Sequence, residues 1–361
     1  MIPITKPLVP DKDLYSLHLK HTFESGQFSN DGPFVKELEK KLKLYLGVKN
    51  NAAFCNGTTA LMVALKSLNL EGSVITTPFT FPATLNAIEW CGLNPVFCDV
   101  DYDTMNIDPW NAEKQITGKV SAILPVHVFG NPCRVHGFNH LSEIYNLKIV
   151  YDAAHAFGSK VGNAGIGTFG DITMFSFHPT KLFHTGEGGM LTYNDPELDI
   201  KIKQLRNFGI RNEVDGSVLP GLNGKMGELQ GALGLCVLQK LKEEIKKRKK
   251  VFKLYKKYLS EIPFIKTFDI NEGTIWSYQY FPIRVKRFRN LIHGLLEKKG
   301  ISSRKYFYPL CSDFPYYKNI KSRVPNAIRV SEEVLCLPFY GDLSKDDIEM
   351  ICEIIKKGDK K

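Results

Sequence analysis

The sequence predicts an α/β protein with a mostly parallel central sheet, followed by a smaller C-terminal α+β domain. Three observations lead there. Between residues 51 and 152, short apolar and β-branched segments alternate with amphipathic helical ones, a repetition that buries a parallel sheet under helices on both faces. From Glu228 to Leu259 the pattern is helical, with Gly231 and Gly234 near its start and no Gly or Pro afterwards, which suits a spine joining two lobes. Finally, 361 residues, 43% of them hydrophobic, exceed what one ordinary core needs. The expected division is a large α/β domain over 1–235 and a small α+β domain over 236–361.

Taken in order, the chain makes an extended start, and residues 29–47 then predict a helix. It has an Asx-Gly-Pro opening, apolar Phe34, Leu38, Leu42 and Tyr45 at helical spacing, and Gly47 as a stop,. Residues 51–55 read as a strand, Asn56-Gly-Thr-Thr as a turn, and residues 60–68 as a helix with Leu61, Ala64, Leu65 and Leu68 on one face. Strand, glycine turn and helix N-terminus together offer free N–H groups to a phosphate, with hydroxyls from Thr58 and Thr59. An ordinary helix cap fits the same residues. Strands at 73–77, 95–99, 122–128 and 148–152 alternate with helices at 82–90 and 136–145. Ligands of such sheets bind beyond the carboxyl ends of the strands. Asp152 sits at one of those ends, as a helix cap or as a counter-ion aimed at a ligand.

Residues 171–193 bracket a single lysine, Lys181, between two apolar strands, 172–177 and 189–193,. Phe175, Phe177, Leu182 and Phe183 around it imply desolvation, which disfavours an ammonium and moves the amine toward nucleophilic or Schiff-base use. An exposed loop lysine paired with Glu187 fits the same stretch. After Leu259 come strands at 278–285, 301–304 and 334–338, with helices at 287–299 and 345–356.

Composition excludes several classes. No run approaches the roughly 18 apolar residues of a membrane span, and the N-terminus lacks the pattern of a signal peptide, so a cytoplasmic protein is expected,. Eight cysteines without CxxC spacing read as core thiols, supporting neither a zinc site nor a disulfide framework,. The formal charge of +10 gathers in residues 240–250 and at Lys356, Lys357, Lys360 and Lys361. With Glu243 and Glu244 interleaved and no aromatic residue among the lysines, the first run reads as a solvated helix face. Neither a nucleic-acid nor a membrane partner is expected, and a regulator contacting nucleic acid through that helix is the rival from another class.

Five segments, Asn56-Gly-Thr-Thr-Ala, Pro78-Phe-Thr-Phe-Pro-Ala-Thr, Asp152-Ala-Ala-His-Ala, Phe175-Ser-Phe-His-Pro-Thr-Lys181 with Gly186-Glu-Gly-Gly, and Gly221-Leu-Asn-Gly-Lys-Met-Gly-Glu, occur in one order. As an ordered set spanning nearly the whole chain, they resemble the DegT/DnrJ/EryC1/StrS family of pyridoxal-phosphate-dependent nucleotide-sugar aminotransferases. The resemblance implies the fold of type I pyridoxal-phosphate enzymes, and it favours the reactive reading of Lys181.

It also implies roles. Lys181 would bind the cofactor covalently and then shuttle the proton, and Asp152 would pair with the pyridine nitrogen. Phe81 would stack on the ring, and His155 would lie beside the phenolic oxygen. Thr58, Thr59 and Ser176 would hold the phosphate. Asn223 would reach the phosphate of the partner subunit, making a homodimer with shared sites. His184 would line the sugar pocket, and Arg304 and Lys305 would meet a diphosphate. Lys225 stands where many members carry Arg, which puts any bidentate contact there in doubt.

The activity implied is transfer of an amino group, from L-glutamate, onto C-4 of dTDP-4-keto-6-deoxyglucose, feeding surface polysaccharide such as O-antigen. Alternatives are C-3 amination of a dTDP-3-keto-6-deoxyhexose and a cofactor-binding regulator without transaminase activity. A sugar 3-dehydratase, which carries histidine in place of the lysine, is disfavoured by Lys181.

Overall fold

Seven strands form the central sheet of the computed structural model, which describes residues 1–267, 270 and 273–360. They are β1 (Asn50–Phe54), β2 (Ser73–Thr76), β3 (Asn94–Phe97), β4 (Val120–Ile123), β5 (Lys148–Asp152), β8 (Ile172–Ser176) and β9 (Gly189–Tyr193), in the order β1-β9-β8-β5-β4-β2-β3. The short strands β6 (Lys160–Val161) and β7 (Ala164–Gly165) join β11 (Thr274–Ile275) in a separate ribbon. Within the central sheet, β3, β2, β4, β5 and β8 pair in parallel, and β9 runs antiparallel to both β8 and β1. Every strand except β9 therefore ends at the same edge. Residues after β1, β2, β5 and β8 converge there.

Helices α1 (Lys12–Ser25), α2 (Pro33–Leu46), α3 (Gly57–Ser67), α4 (Pro82–Trp90), α5 (Pro109–Glu113), α6 (Val135–Tyr145) and α7 (Pro196–Arg206) accompany the sheet. Two apolar clusters result. One contains Leu61, Ala64, Leu85 and Ile88 of α3 and α4, and the other contains Val35, Leu38, Phe138 and Leu141 of α2 and α6. The expected division at residue 235 falls within α8 (Glu228–Leu259). Gly231 and Gly234 let the start of α8 approach α2, because a Cβ there would stand 2.9 Å from Val35 N and from Leu38 Cδ2, respectively. Farther along, the Arg248 guanidinium donates to the carbonyls of Tyr278 and Gln279, and the Tyr255 hydroxyl to Pro338 O at 2.9 Å. Past α8 come β10 (Ile265–Thr267), β12 (Phe281–Val285) and β13 (Val334–Leu337) in one antiparallel sheet, with α9 (Arg289–Lys298), α10 (Pro325–Glu333) and α11 (Lys345–Lys356).

Several elements differ from the sequence reading. The extended start gives way to α1, which buries only Thr22 and so shows no apolar stripe; Asp11 caps it through the amides of Asp13 and Leu14. Helix α2 buries Val35, Leu38, Leu42 and Leu46, while Tyr45 is exposed. Its cap is the Glu228 carboxylate, accepting from Phe34 N at 2.8 Å and Val35 N at 3.0 Å. The unexpected α10 is capped in the same way by Asp99, through the amides of Asn326 and Ala327. The predicted strand at 301–304 is reduced to isolated bridges of Ile301 with Ile2 and of Arg304 with Cys336. The strand at 122–128 stops at Ile123, and that at 278–285 begins at Phe281. Lys361 of the basic C-terminal group lies outside the described residues. Among the described residues, no helix is long and apolar enough to cross a membrane.

Candidate active site

The N-terminus of α3 meets the carboxyl end of β8 without space for a side chain. Asn56 caps α3 by accepting from Thr59 N at 2.8 Å, so the helix starts three residues earlier than its apolar periodicity indicates. A Cβ at Gly57 would lie 3.0 Å from Ser176 Cβ, and one at Gly189 would lie 2.7 Å from the Asn56 carbonyl. Glycine at both positions presses the amides opening α3 against Ser176. An anion finds N–H donors and the helix dipole there.

Asp152 ends β5 with its side chain buried. One carboxylate oxygen accepts from Ala154 N at 3.0 Å and the other from the Thr84 hydroxyl at 2.8 Å. Thr84 Oγ1 in turn lies 2.8 Å from Thr80 Oγ1. Burial holds the carboxyl above its ordinary range, against the opposing pull of these hydrogen bonds and of Lys181. The site therefore favours a proton-bearing or cationic group beside Asp152. His155, three residues on, is buried and kept neutral, first by desolvation and then by the charge of Lys181. Its ring stands edge-on to Tyr280, with centroids 4.9 Å apart. Among the described residues, His155 Nδ1 has no hydrogen-bond partner. A buried polar atom in that state calls for a ligand.

Lys181 lies in the connection from β8 to β9, its Nζ 5.9 Å from the centroid of Tyr280. Gln279 clamps this connection, accepting from Leu182 N at 2.5 Å and donating to Thr180 O at 2.9 Å. Desolvation lowers the Lys181 ammonium to about 8; Arg304 adds to the effect, and Tyr306 and Asp152 oppose it. Glu187 is engaged with His178, Nε2 to Oε1 at 3.8 Å, and not with Lys181. The loop-lysine alternative does not describe the fold.

One cavity of roughly 320 Å³ joins these parts. Its wall includes Thr58, Phe81, Asp152, His155, Ser176, Lys181 and Arg304 among the residues singled out from sequence. Phe81 is exposed at the mouth. Other expected residues stand apart from this wall. The amide of Thr59 serves the Asn56 cap. His184 is buried, its Nε2 3.0 Å from Leu8 O and its Nδ1 accepting from Gly186 N at 3.3 Å, so its ring is committed to the backbone. The Lys305 ammonium lies 5.9 Å from the centroid of Tyr308. Asn223 faces Lys225, whose ammonium donates to Asn223 Oδ1 at 2.9 Å and to Asn207 Oδ1 at 2.7 Å. Two further residues of the site carry no sequence mark of their own: Thr84, at the end of the Pro78-Phe-Thr-Phe-Pro-Ala-Thr segment, and Tyr306, next after Lys305. Tyr306 lines the cavity and is hydrogen-bonded by Arg304.

A low-pKa amine, a buried carboxylate and an anion cradle on one cavity are the parts of a carbonyl and amine chemistry. The DegT/DnrJ/EryC1/StrS aminotransferase family model matches residues 12–356. The chain belongs to this family. As an aminotransferase it is 40% identical over 365 residues to the dTDP-4-amino-4,6-dideoxy-D-glucose transaminase of Escherichia coli, covering 98% of each chain. It is 32% identical to the spore coat polysaccharide biosynthesis protein SpsC of Bacillus subtilis, covering 98% of this chain and 96% of that one. Among solved structures, DesI in the presence of its TDP-sugar product superposes with a TM-score of 0.94 at 31% identity, covering 98% of this chain and 92% of that one. The α/β architecture with its mostly parallel sheet is therefore that of the sugar aminotransferases.

Proposed function

We propose that this aminotransferase uses pyridoxal phosphate to move an amino group from L-glutamate to C-4 of dTDP-4-keto-6-deoxyglucose. The observation that carries the proposal is the convergence of Lys181, Asp152 and the α3 N-terminus on one cavity. Support for the sugar comes from the product named for the E. coli relative. A place in polysaccharide synthesis is supported by the name of the Bacillus relative, and the proposal extends it to surface polysaccharide such as O-antigen.

The residues present fit the cofactor. The glycine-lined cradle beside Ser176 suits its phosphate, and the buried Asp152 suits a protonated ring nitrogen. His155 Nδ1 lacks the partner that a phenolic oxygen would supply. When bound, pyridoxal phosphate supplies an electron sink for the carbon that loses or gains the proton. Lys181 Nζ, its ammonium lowered to about 8, holds or releases a proton near neutral pH and so serves as the acid and base,. Phe81 and Phe307 cover the site and limit water, and Arg304 stands on the wall where a diphosphate would enter.

The proposal includes a cytoplasmic homodimer in which Asn223 serves the cofactor phosphate of the partner subunit. It is supported by the position of Asn223 away from its own cavity, with Oδ1 held by Lys225 so that its amide N–H groups are left to donate elsewhere,.

The purified protein should be yellow, and borohydride should bleach it by fixing the cofactor to Lys181, read by peptide mass spectrometry. Lys181→Ala should bind the cofactor only non-covalently and lose at least about 10³-fold in turnover. With glutamate and a panel of dTDP-keto-sugars, NMR should place nitrogen on C-4. Label on another lysine would overturn the site, and nitrogen on C-3 would overturn the substrate.

A further inference from the structure

Ten basic and two acidic side chains lie between Lys240 and Lys257, leaving little of the formal +10 for the rest of the chain. The fold gives that run a direction. Lys242, Lys246, Lys249, Lys250, Lys253, Lys256 and Lys257 are all exposed on α8. At 3.6 residues per turn their spacing puts them within about a third of the helix circumference, in a stripe roughly 22 Å long. Among the described residues none of the seven makes an ion pair; Glu243 on the flank is engaged by Lys247 at 3.3 Å. The stripe cannot roll inward, because Leu241, Glu244, Arg248, Val251, Tyr255 and Leu259 anchor the opposite side of the helix. Arg248 is held by Glu244 at 2.6 Å within that buried side.

We infer that this stripe docks the enzyme, reversibly and without insertion, on a bilayer surface rich in acidic headgroups. Sequence reading treats the run as a solvated face; its confinement to one side of an anchored helix gives it a partner. Clustered lysines on a helix complement an anionic leaflet, and their attraction falls off within a Debye length. The half-buried rings flanking the stripe are engaged, Phe252 with Trp276 and Phe281 and Tyr258 with Glu349 and the Lys257 ammonium, which leaves no free ring for a base to stack on, and no arginine reads base edges, since Arg248 is buried,. Lysine serves as a hydrated point charge, which suits a diffuse surface of phosphates. The apolar side of α8 is spent in the core, so nothing remains to enter the hydrocarbon.

Flotation of the full-length holoenzyme with vesicles tests this. The protein should float with phosphatidylcholine vesicles containing phosphatidylglycerol and not with phosphatidylcholine alone, and about 1 M salt should release it. Combining Lys249→Gln, Lys250→Gln and Lys253→Gln should weaken partitioning roughly a hundredfold with turnover unchanged. Combining Lys36→Gln, Lys40→Gln and Lys43→Gln on α2 removes the same charge elsewhere and should cost much less. Equal binding to both vesicles, or equal losses in the two triple variants, would overturn the inference. Tighter binding to a duplex DNA of random sequence than to the acidic vesicles, at equal salt, would make the stripe a nucleic-acid surface instead.

Discussion

Lys181 and the lysines of α8 share a side chain and are used in opposite ways. Lys181 sits alone at the wall of a cavity, where desolvation lowers its ammonium to about 8. The α8 lysines stand in water on a fixed helix, seven to one face. Burial weakens a charge and turns the amine into a proton carrier; exposure keeps the charge and sums it into a field. Lys225 is a third case, nearly buried, its ammonium held by two amide oxygens and lying 4.8 Å from the ring centroid of Phe208. Chain position does not separate the three. What separates them is what each ammonium faces.

The sharpest way to break the contrast is to alter what faces Lys181. Asp152→Asn keeps the shape of the site but removes the negative charge that opposes the desolvation of Lys181 and that would hold a ring proton. Turnover should fall by about 10²–10³, with circular dichroism and melting temperature nearly unchanged. A variant of near-normal kcat would reduce Asp152 to a helix cap.

The intermediate lysine is tested through Asn223. Asn223→Asp should turn the amide that Lys225 holds into a carboxylate facing the partner's cofactor phosphate, and weaken cofactor binding by about tenfold or more. Homodimers of Asn223→Asp and of Lys181→Ala should both be poor enzymes. Refolded together, if Asn223 acts in trans as proposed, random pairing puts both defects in one site of the mixed dimer and neither in the other, so activity should return to about a quarter of wild type. No recovery would mean that Asn223 acts within its own subunit.

Much of the scaffold was legible because it is local. The helix Pro82–Trp90, the strand Lys148–Asp152 and the spine Glu228–Leu259 carry their signals in their own periodicity and punctuation. Helices α2 and α10 owe their caps to Glu228 and Asp99, distant in sequence, and α1 makes little core to leave a stripe. The site divides in the same manner. Lys181 and Asp152 stand out by type and by place after a strand, whereas the Gln279 clamp comes from the other side of the spine and has no local mark. His184 stands apart from the cavity that its neighbours in sequence line, because its own ring turns to Leu8.

The smallest expected effect is the cost of keeping Lys181 where it is. Its ammonium titrates at about 8 in the folded protein, against 10.5 for an ordinary lysine. Below pH 8 the folded and unfolded chains both carry the proton, and the folded state bears the whole penalty of a desolvated charge. Between pH 8 and 10.5 the unfolded chain binds more protons than the folded one, so this contribution to stability rises with pH; above 10.5 the penalty is gone. Lys181→Met retains the aliphatic stem and lacks the charge. In cofactor-free protein at pH 7 it should therefore be the more stable by on the order of 1–3 kcal/mol, a few degrees in melting temperature. The advantage should shrink steadily from pH 8 to pH 10. An advantage for Lys181→Met that stayed constant across that range would mean that packing rather than charge sets the cost, and that the low-pKa amine is absent from the empty site.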